Sequence, residues 1–376
     1  MKTRFLKSLV AFVCTSAFIL GIFQLIDYFR LLGSEGSFSS SMVAGFKLST
    51  QQAQQLEKDI LTNPNDTEKR QKLLAYYFSH FELQPKRDKH ILWLIQNQPE
   101  AQVLRETYGR IDQFGSKEAS ATAIKEWERQ YQKQPNNPKI VDGYMLAIRD
   151  RLDPQIVTLC QKGSLLEPKN GYWHNEISEY YQRKLEETPL TAEVERQKMA
   201  KLALDYLEHA LPMESSGHEG SALFELRQHS KKQVTLNIEL KNYDRARQLI
   251  NVVLNDAGGS LPKVMSGLKV FDLVDEDMKH ICHILLGQIA LRQKDVNTAK
   301  RELLEAGNVT GSPVLGSFGP NMLLAKELLD KGEKETVLQY FEKCRAFWNN
   351  AQLNKWVTEA KAGKTPDFGA NLIYGM

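Results

Sequence analysis

His280, Cys282 and His283 stand within four residues of one another. They are side chains of the kind that ligate transition metals, and the two histidines share one face of a helix. A closed zinc site needs a further ligand pair at ordinary spacing, and the sequence offers none, so these residues read as helix-packing or surface groups. His174 and Glu176 form a His-x-Glu, in which a histidine ligates zinc and a glutamate moves protons, but the cysteine pair that would complete it is missing downstream. Gly363-Lys364-Thr365 has the ending of a phosphate-binding loop. Thr358 stands where its first glycine must be, and no strand pattern precedes it, which leaves a helix stop ahead of Pro366. HExxH, GxSxG and complete GxGxxG are absent. Cys160, Cys282 and Cys344 contain no CxxC and suit a helical core. The expectation is no catalytic residue, no metal and no cofactor.

Elements that could position such residues are helices. From Ser49 onward apolar residues recur at helical spacing, with almost no alternating runs. Ser49 followed by Gln52 is a capping box for a helix over Gln51–Leu61. Asn63-Pro-Asn-Asp66 breaks the chain and caps the next stripe of Leu73, Leu74, Tyr77, Phe78 and Phe81, and a partner helix follows at His90–Gln96. Short helices separated by Asn/Pro breaks cannot bury their stripes alone and must pack on neighbours. The aromatic groups Tyr76–Phe81 and Tyr172, Trp173, Tyr180 and Tyr181 read first as core. Apolar content of 42% and a net charge of +3 exclude a disordered chain.

The charge is unevenly placed. Lys2, Arg4, Lys7 and Arg30 against Asp27 carry the whole excess, and the remainder holds 45 basic and 45 acidic residues. A neutral body lacks the footprint of a nucleic-acid binder, so no nucleic-acid partner is expected. Leu9–Ile26 is an uncharged run of 18 residues after three cations. At about 1.5 Å per residue it reaches roughly 27 Å, enough to cross a bilayer once. The preceding cations favour a cytoplasmic N-terminus, which places the body across the membrane. Residues 1–32 therefore read as a signal anchor in a bacterial inner membrane, with secretion after cleavage as the alternative. Residues 33–48, rich in Ser and Gly, read as a flexible linker, 49–355 as the helical domain and 356–376 as a tail.

The breaks recur. Pro135-Asn-Asn-Pro138 and Pro168-Lys-Asn170 each end one helix and start another, 33 residues apart. In Leu166-Glu-Pro168-Lys-Asn170-Gly-Tyr-Trp173 a proline closes one unit and a tryptophan opens the next, with Tyr180 seven residues on. Leu286-Gly287 is followed by Ala299, Leu303 and Ala306, and Lys241-Asn-Tyr-Asp-Arg-Ala246 by Ile250. These spacings resemble the tetratricopeptide repeat, in degenerate form, over roughly residues 63–348. Gly311–Trp348 also resembles a C-terminal segment of uncharacterised bacterial helical-repeat proteins, some grouped with sigma factors. A neutral body behind a membrane anchor points away from promoter DNA.

The resemblance implies an all-α, irregular tetratricopeptide-like solenoid of hairpins behind one transmembrane helix. It implies binding through a concave face, onto which His174, Ser178 and Tyr181 of one repeat and Gln288 and Arg292 of another would point. The expected function is a membrane-anchored scaffold for a protein or peptide partner outside the cytoplasm. The alternative is a cell-envelope enzyme or carrier with a small-molecule pocket between helices, near Trp173, Tyr180, Tyr181, His174 and Glu176.

Overall fold

The computed structural model describes residues 40–111, 116–189, 191–214, 231–256 and 270–372. The apolar segment 9–26 lies outside the described residues. Among those described there is no strand, and no helix is long and apolar enough to cross a membrane. The chain divides into two compact units, residues 1–168 and 169–376.

The first unit contains α1 (Ser40–Phe46), α2 (Thr50–Thr62), α3 (Thr67–Phe78), α4 (Gln84–Asn97), α5 (Lys117–Lys133), α6 (Pro138–Ile148) and α7 (Gln155–Leu166). Ser49 closes the expected capping box with Gln52, Asp66 caps α3 and Asn137 caps α6. From α2 onward each helix packs on the next in the chain. Part of the expected linker is ordered. α1 packs on α3, and a Cβ at Gly45 would lie 2.4 Å from the Lys72 carbonyl oxygen, so only glycine permits this approach.

One turn is built four times. The helix ends before Asn63, Gln98, Gln134 and Glu167 each place that residue at φ between −127° and −141° and ψ between 59° and 83°. A proline follows in every case, at positions 64, 99, 135 and 168, and the proline ring excludes helical geometry from the residue before it. The intervals are 35, 36 and 33 residues. Groups about one interval apart meet. Gln98 Nε2 donates to the Asn65 carbonyl oxygen (3.1 Å) and Gln98 Oε1 accepts from Thr67 Oγ1 (2.5 Å). Asn137 Nδ2 donates to Glu100 Oε1 (3.0 Å), and buried Gln130 Nε2 donates to the Ile95 carbonyl oxygen (2.9 Å).

The second unit contains α8 (Tyr172–Glu187), α9 (Glu193–Glu214), α10 (231–239), α11 (Tyr243–Asp256), α12 (Val270–Arg292), α13 (Val296–Ala306), α14 (Pro313–Phe318), α15 (Leu323–Leu329), α16 (Lys334–Cys344) and α17 (Ala351–Lys361). Here a different turn recurs. Lys241, Lys294 and Gly332 adopt positive φ (62°, 65° and 85°). The next backbone N–H closes back onto the carbonyl of Asn237 (2.8 Å), Ala290 (2.9 Å) or Leu328 (2.9 Å). Five residues beyond each left-handed position lies a fully buried Ala246, Ala299 or Val337, where the second helix crosses the first.

The boundary expected at residue 355 falls inside α17, whose Trp356 is buried against Phe368. The tail is part of the core: Asn371 Nδ2 donates to the carbonyls of Phe318 and Pro320, and its own carbonyl accepts from the Met322 N–H. The loop expected over 307–319 contains α14, capped by Ser312.

Candidate functional site

The α8–α9 hairpin gathers two of the expected residues with two that the sequence did not single out. Asn170 Oδ1 accepts the Tyr172 N–H at the start of α8, which sets the helix phase. His174 and Tyr181 then lie against Tyr206 of α9, at ring centroid distances of 6.0 Å and 6.2 Å, and His209 lies 6.0 Å from His174. The four rings are within 30° of parallel where they meet. His174, Tyr181 and Tyr206 are half-buried, and His209 is exposed. Burial, and then the neighbouring His209 charge, lowers the pKa of His174. Burial raises that of Tyr181. His174 and Tyr181 are thus kept uncharged near neutral pH, a property suited to apolar and ring-stacking contacts.

The other expected residues are placed differently. Ser178 is fully buried and donates to the Ala203 carbonyl oxygen at 2.8 Å, joining α8 to α9. Gln288 is also buried. Arg292 is exposed and grips Glu327 of α15 with two hydrogen bonds, 3.1 and 2.8 Å, so α12 and α15 are tied at their ends. The Glu327 bonds raise its basicity further. Trp173, Glu176 and Tyr180 are buried, which matches the core reading of that aromatic group.

The densest polar cluster of the first unit has no local sequence signal. His90 of α4 sits between two charged groups, with Arg70 Nη1 of α3 at 3.0 Å from Nδ1 and Glu57 Oε1 of α2 at 3.0 Å from Nε2. A guanidinium can only donate, so Nδ1 must accept and Nε2 must carry the proton that Glu57 receives. Tyr77 OH also donates to Glu57 Oε1 (2.5 Å). Arg70 is completed by two bonds to the Pro64 carbonyl and lies 3.6 Å over the Trp93 ring. The His90 bond, opposed by burial and helped by Tyr77, brings the Glu57 pKa down to about 2. Burial and then the Glu57 bond push the Tyr77 hydroxyl upward. Chemically this is a histidine–carboxylate pair. Both ring nitrogens are committed, so it acts as a fastener of three helices and not as a general base.

His280 is fully enclosed. Its Nδ1 meets the Ala306 carbonyl oxygen (2.7 Å) and its Nε2 accepts the Asn321 N–H (3.0 Å), so neither nitrogen can reach a metal. Burial lowers its pKa to about 4. His283 pairs with Glu302 (2.8 Å), and burial pushes the Cys282 thiol up to about 12. Among the described residues no group of three or more His, Cys, Asp or Glu could hold a metal ion. Gly363 adopts φ 75° as the Lys364 N–H closes onto Glu359, the helix stop anticipated at that position. No protein-family model matches the chain, and no curated protein matches it either.

Proposed function

We propose that this chain is a membrane-anchored scaffold whose hairpins stack as an irregular tetratricopeptide-like solenoid and offer a surface to a protein or peptide outside the cytoplasm. One observation carries the reading: side chains one proline interval apart bond to each other across successive hairpins, as at Gln98–Thr67 and Asn137–Glu100. A stack held in this way repeats its outer faces at a fixed step, which is how repeat proteins build extended binding surfaces. The polar residues of the first unit support it, because its most elaborate network is consumed in tying helices together. The anchor is the 9–26 segment, and the topology follows from the cations before it.

The half-buried row His174, Tyr206, Tyr181 favours a second reading, a carrier that stacks a ring-bearing small molecule. The test is chemical crosslinking in intact membranes followed by purification. It compares the native chain with Tyr181→Ser, His174→Ser and Arg292→Glu, with helix content checked in each. A scaffold loses a discrete protein adduct on at least one of these substitutions. Absence of any protein adduct in the native chain refutes it.

A further inference from the structure

A narrow slot in the first unit lies between α4, α5 and α6 and the short 3-10 turns at Gln102–Arg105 and Thr107–Gly109. It encloses about 300 Å³, space for roughly one large side chain. Its walls are apolar, with Ile91 and Ile95 of α4, Trp127 of α5, and Leu146 and Ala147 of α6. It exists because small residues stand where side chains would fill it. A Cβ at Gly143 would lie 2.2 Å from the Trp127 ring, and one at Gly109 would lie 1.8 Å from the Val103 carbonyl oxygen.

The lip is a built feature. Arg87 of α4, 2% exposed, donates to the carbonyls of Tyr108 (2.9 Å) and Arg110 (2.5 Å) and holds the outer turn in place. That leaves Arg110 as the one charged residue lining the slot. Its only hydrogen bond among those of the described residues is a 3.4 Å contact to Thr107 Oγ1, and no described carboxylate pairs with it. Arg105, on the same turn segment, has a buried Nη1 without a hydrogen-bond partner, and its Nε is 3.9 Å from Asp142. An unanswered buried donor is costly and is met when an acceptor arrives. The segment therefore carries two guanidinium groups, incompletely neutralised, around an apolar slot.

We propose that this slot receives one bulky apolar side chain from a partner peptide, with an acidic residue beside it paired to Arg110. This rests on the scaffold reading and names the chemistry of one of its partners. The apolar walls select the anchor, and the arginines select the flanking charge.

The experiment measures anisotropy of labelled hexapeptides with the full chain in detergent. One has a central Leu-Phe flanked by Asp and Glu, one has Lys at both flanks, and one replaces Leu-Phe by Ser-Ser. The native chain is expected to bind the first at least about tenfold more tightly than either other. Arg110→Glu reverses the preference between acidic and basic flanks. Ala147→Leu, which fills the slot, loses about tenfold while helix content is unchanged; because Arg110→Glu lies on the surface, it tests the proposal even if Ala147→Leu unfolds. Equal binding of acidic and basic peptides overturns the proposal, as does displacement by decanoate alone. A fall in sedimenting mass on Ala147→Leu also overturns it, since the occupant is then a second copy. Loss of peptide selectivity with membrane adducts retained overturns this proposal and leaves the scaffold standing. Selective peptide binding without any membrane adduct supports the slot and counts against the scaffold.

Discussion

Replacing Glu57 by Gln keeps an oxygen where His90 and Tyr77 donate but removes the charge. The carboxyl lies at about 2 in the folded chain against an ordinary 4.5. At about 1.4 kcal/mol per pH unit this corresponds to about 3 kcal/mol. A third of the side chain is exposed, and solvent screening reduces the figure to about 1–2 kcal/mol. The sign follows from linkage. A carboxyl with a depressed folded pKa stabilises fully above 4.5 and loses that contribution as pH falls toward 2. Urea unfolding followed by circular dichroism at about pH 7, 5 and 3 should show Glu57→Gln less stable by that amount at the two higher values. The gap should shrink by more than half at the lowest. A gap that stays constant over the range, or a more stable variant at pH 7, refutes the fastener formed by Glu57, His90 and Arg70.

His280 gives a second pH signature: its folded pKa of about 4 lies below the ordinary 6.5, so the unfolded chain binds the extra proton and stability falls as pH drops from 6.5 to 4. His280→Leu should be less stable by about 2–4 kcal/mol near pH 7, with the difference narrowing over that window, as read by urea titration. Lys294 holds a left-handed conformation at φ 65°, so Lys294→Gly should raise stability by up to about 1 kcal/mol, visible as a higher melting temperature. Ser178→Ala should cost about 1 kcal/mol in urea unfolding through loss of the bond to Ala203, yet leave membrane crosslinking unchanged, whereas Tyr181→Ser should do the opposite.

Much of the fold was legible because it is written in breakers and caps. Ser49 with Gln52, Asn63-Pro-Asn-Asp66 and Pro135-Asn-Asn-Pro138 each mark a boundary that the chain uses. Pro99 belongs to the same series but sits in Gln-Pro-Glu, without the Asn or Asp that draws attention to a cap, and only its backbone angles reveal it. α1 was hidden for a different reason. Its Ser/Gly composition signals flexibility, while the glycine that weakens the helix is the residue that lets it touch α3. Burial of Ser178 was within reach: with Tyr181 and Leu185 it follows i, i+3, i+7 spacing on the packed stripe of α8. The cluster at Glu57, Arg70 and His90 was not, because its members are 20 to 33 residues apart in the chain and meet only when three helices pack.

Hydrogen exchange read by mass spectrometry on Gln130→Ala tests the repeat account most directly. Gln130 holds the end of α4 through the carbonyls of Ile95 and Gln96. In an array where each hairpin depends on its neighbours, exchange should rise in α4, α5 and α6 and remain unchanged in α15, α16 and α17. A uniform rise across all six helices would contradict the account and describe a single cooperative globule.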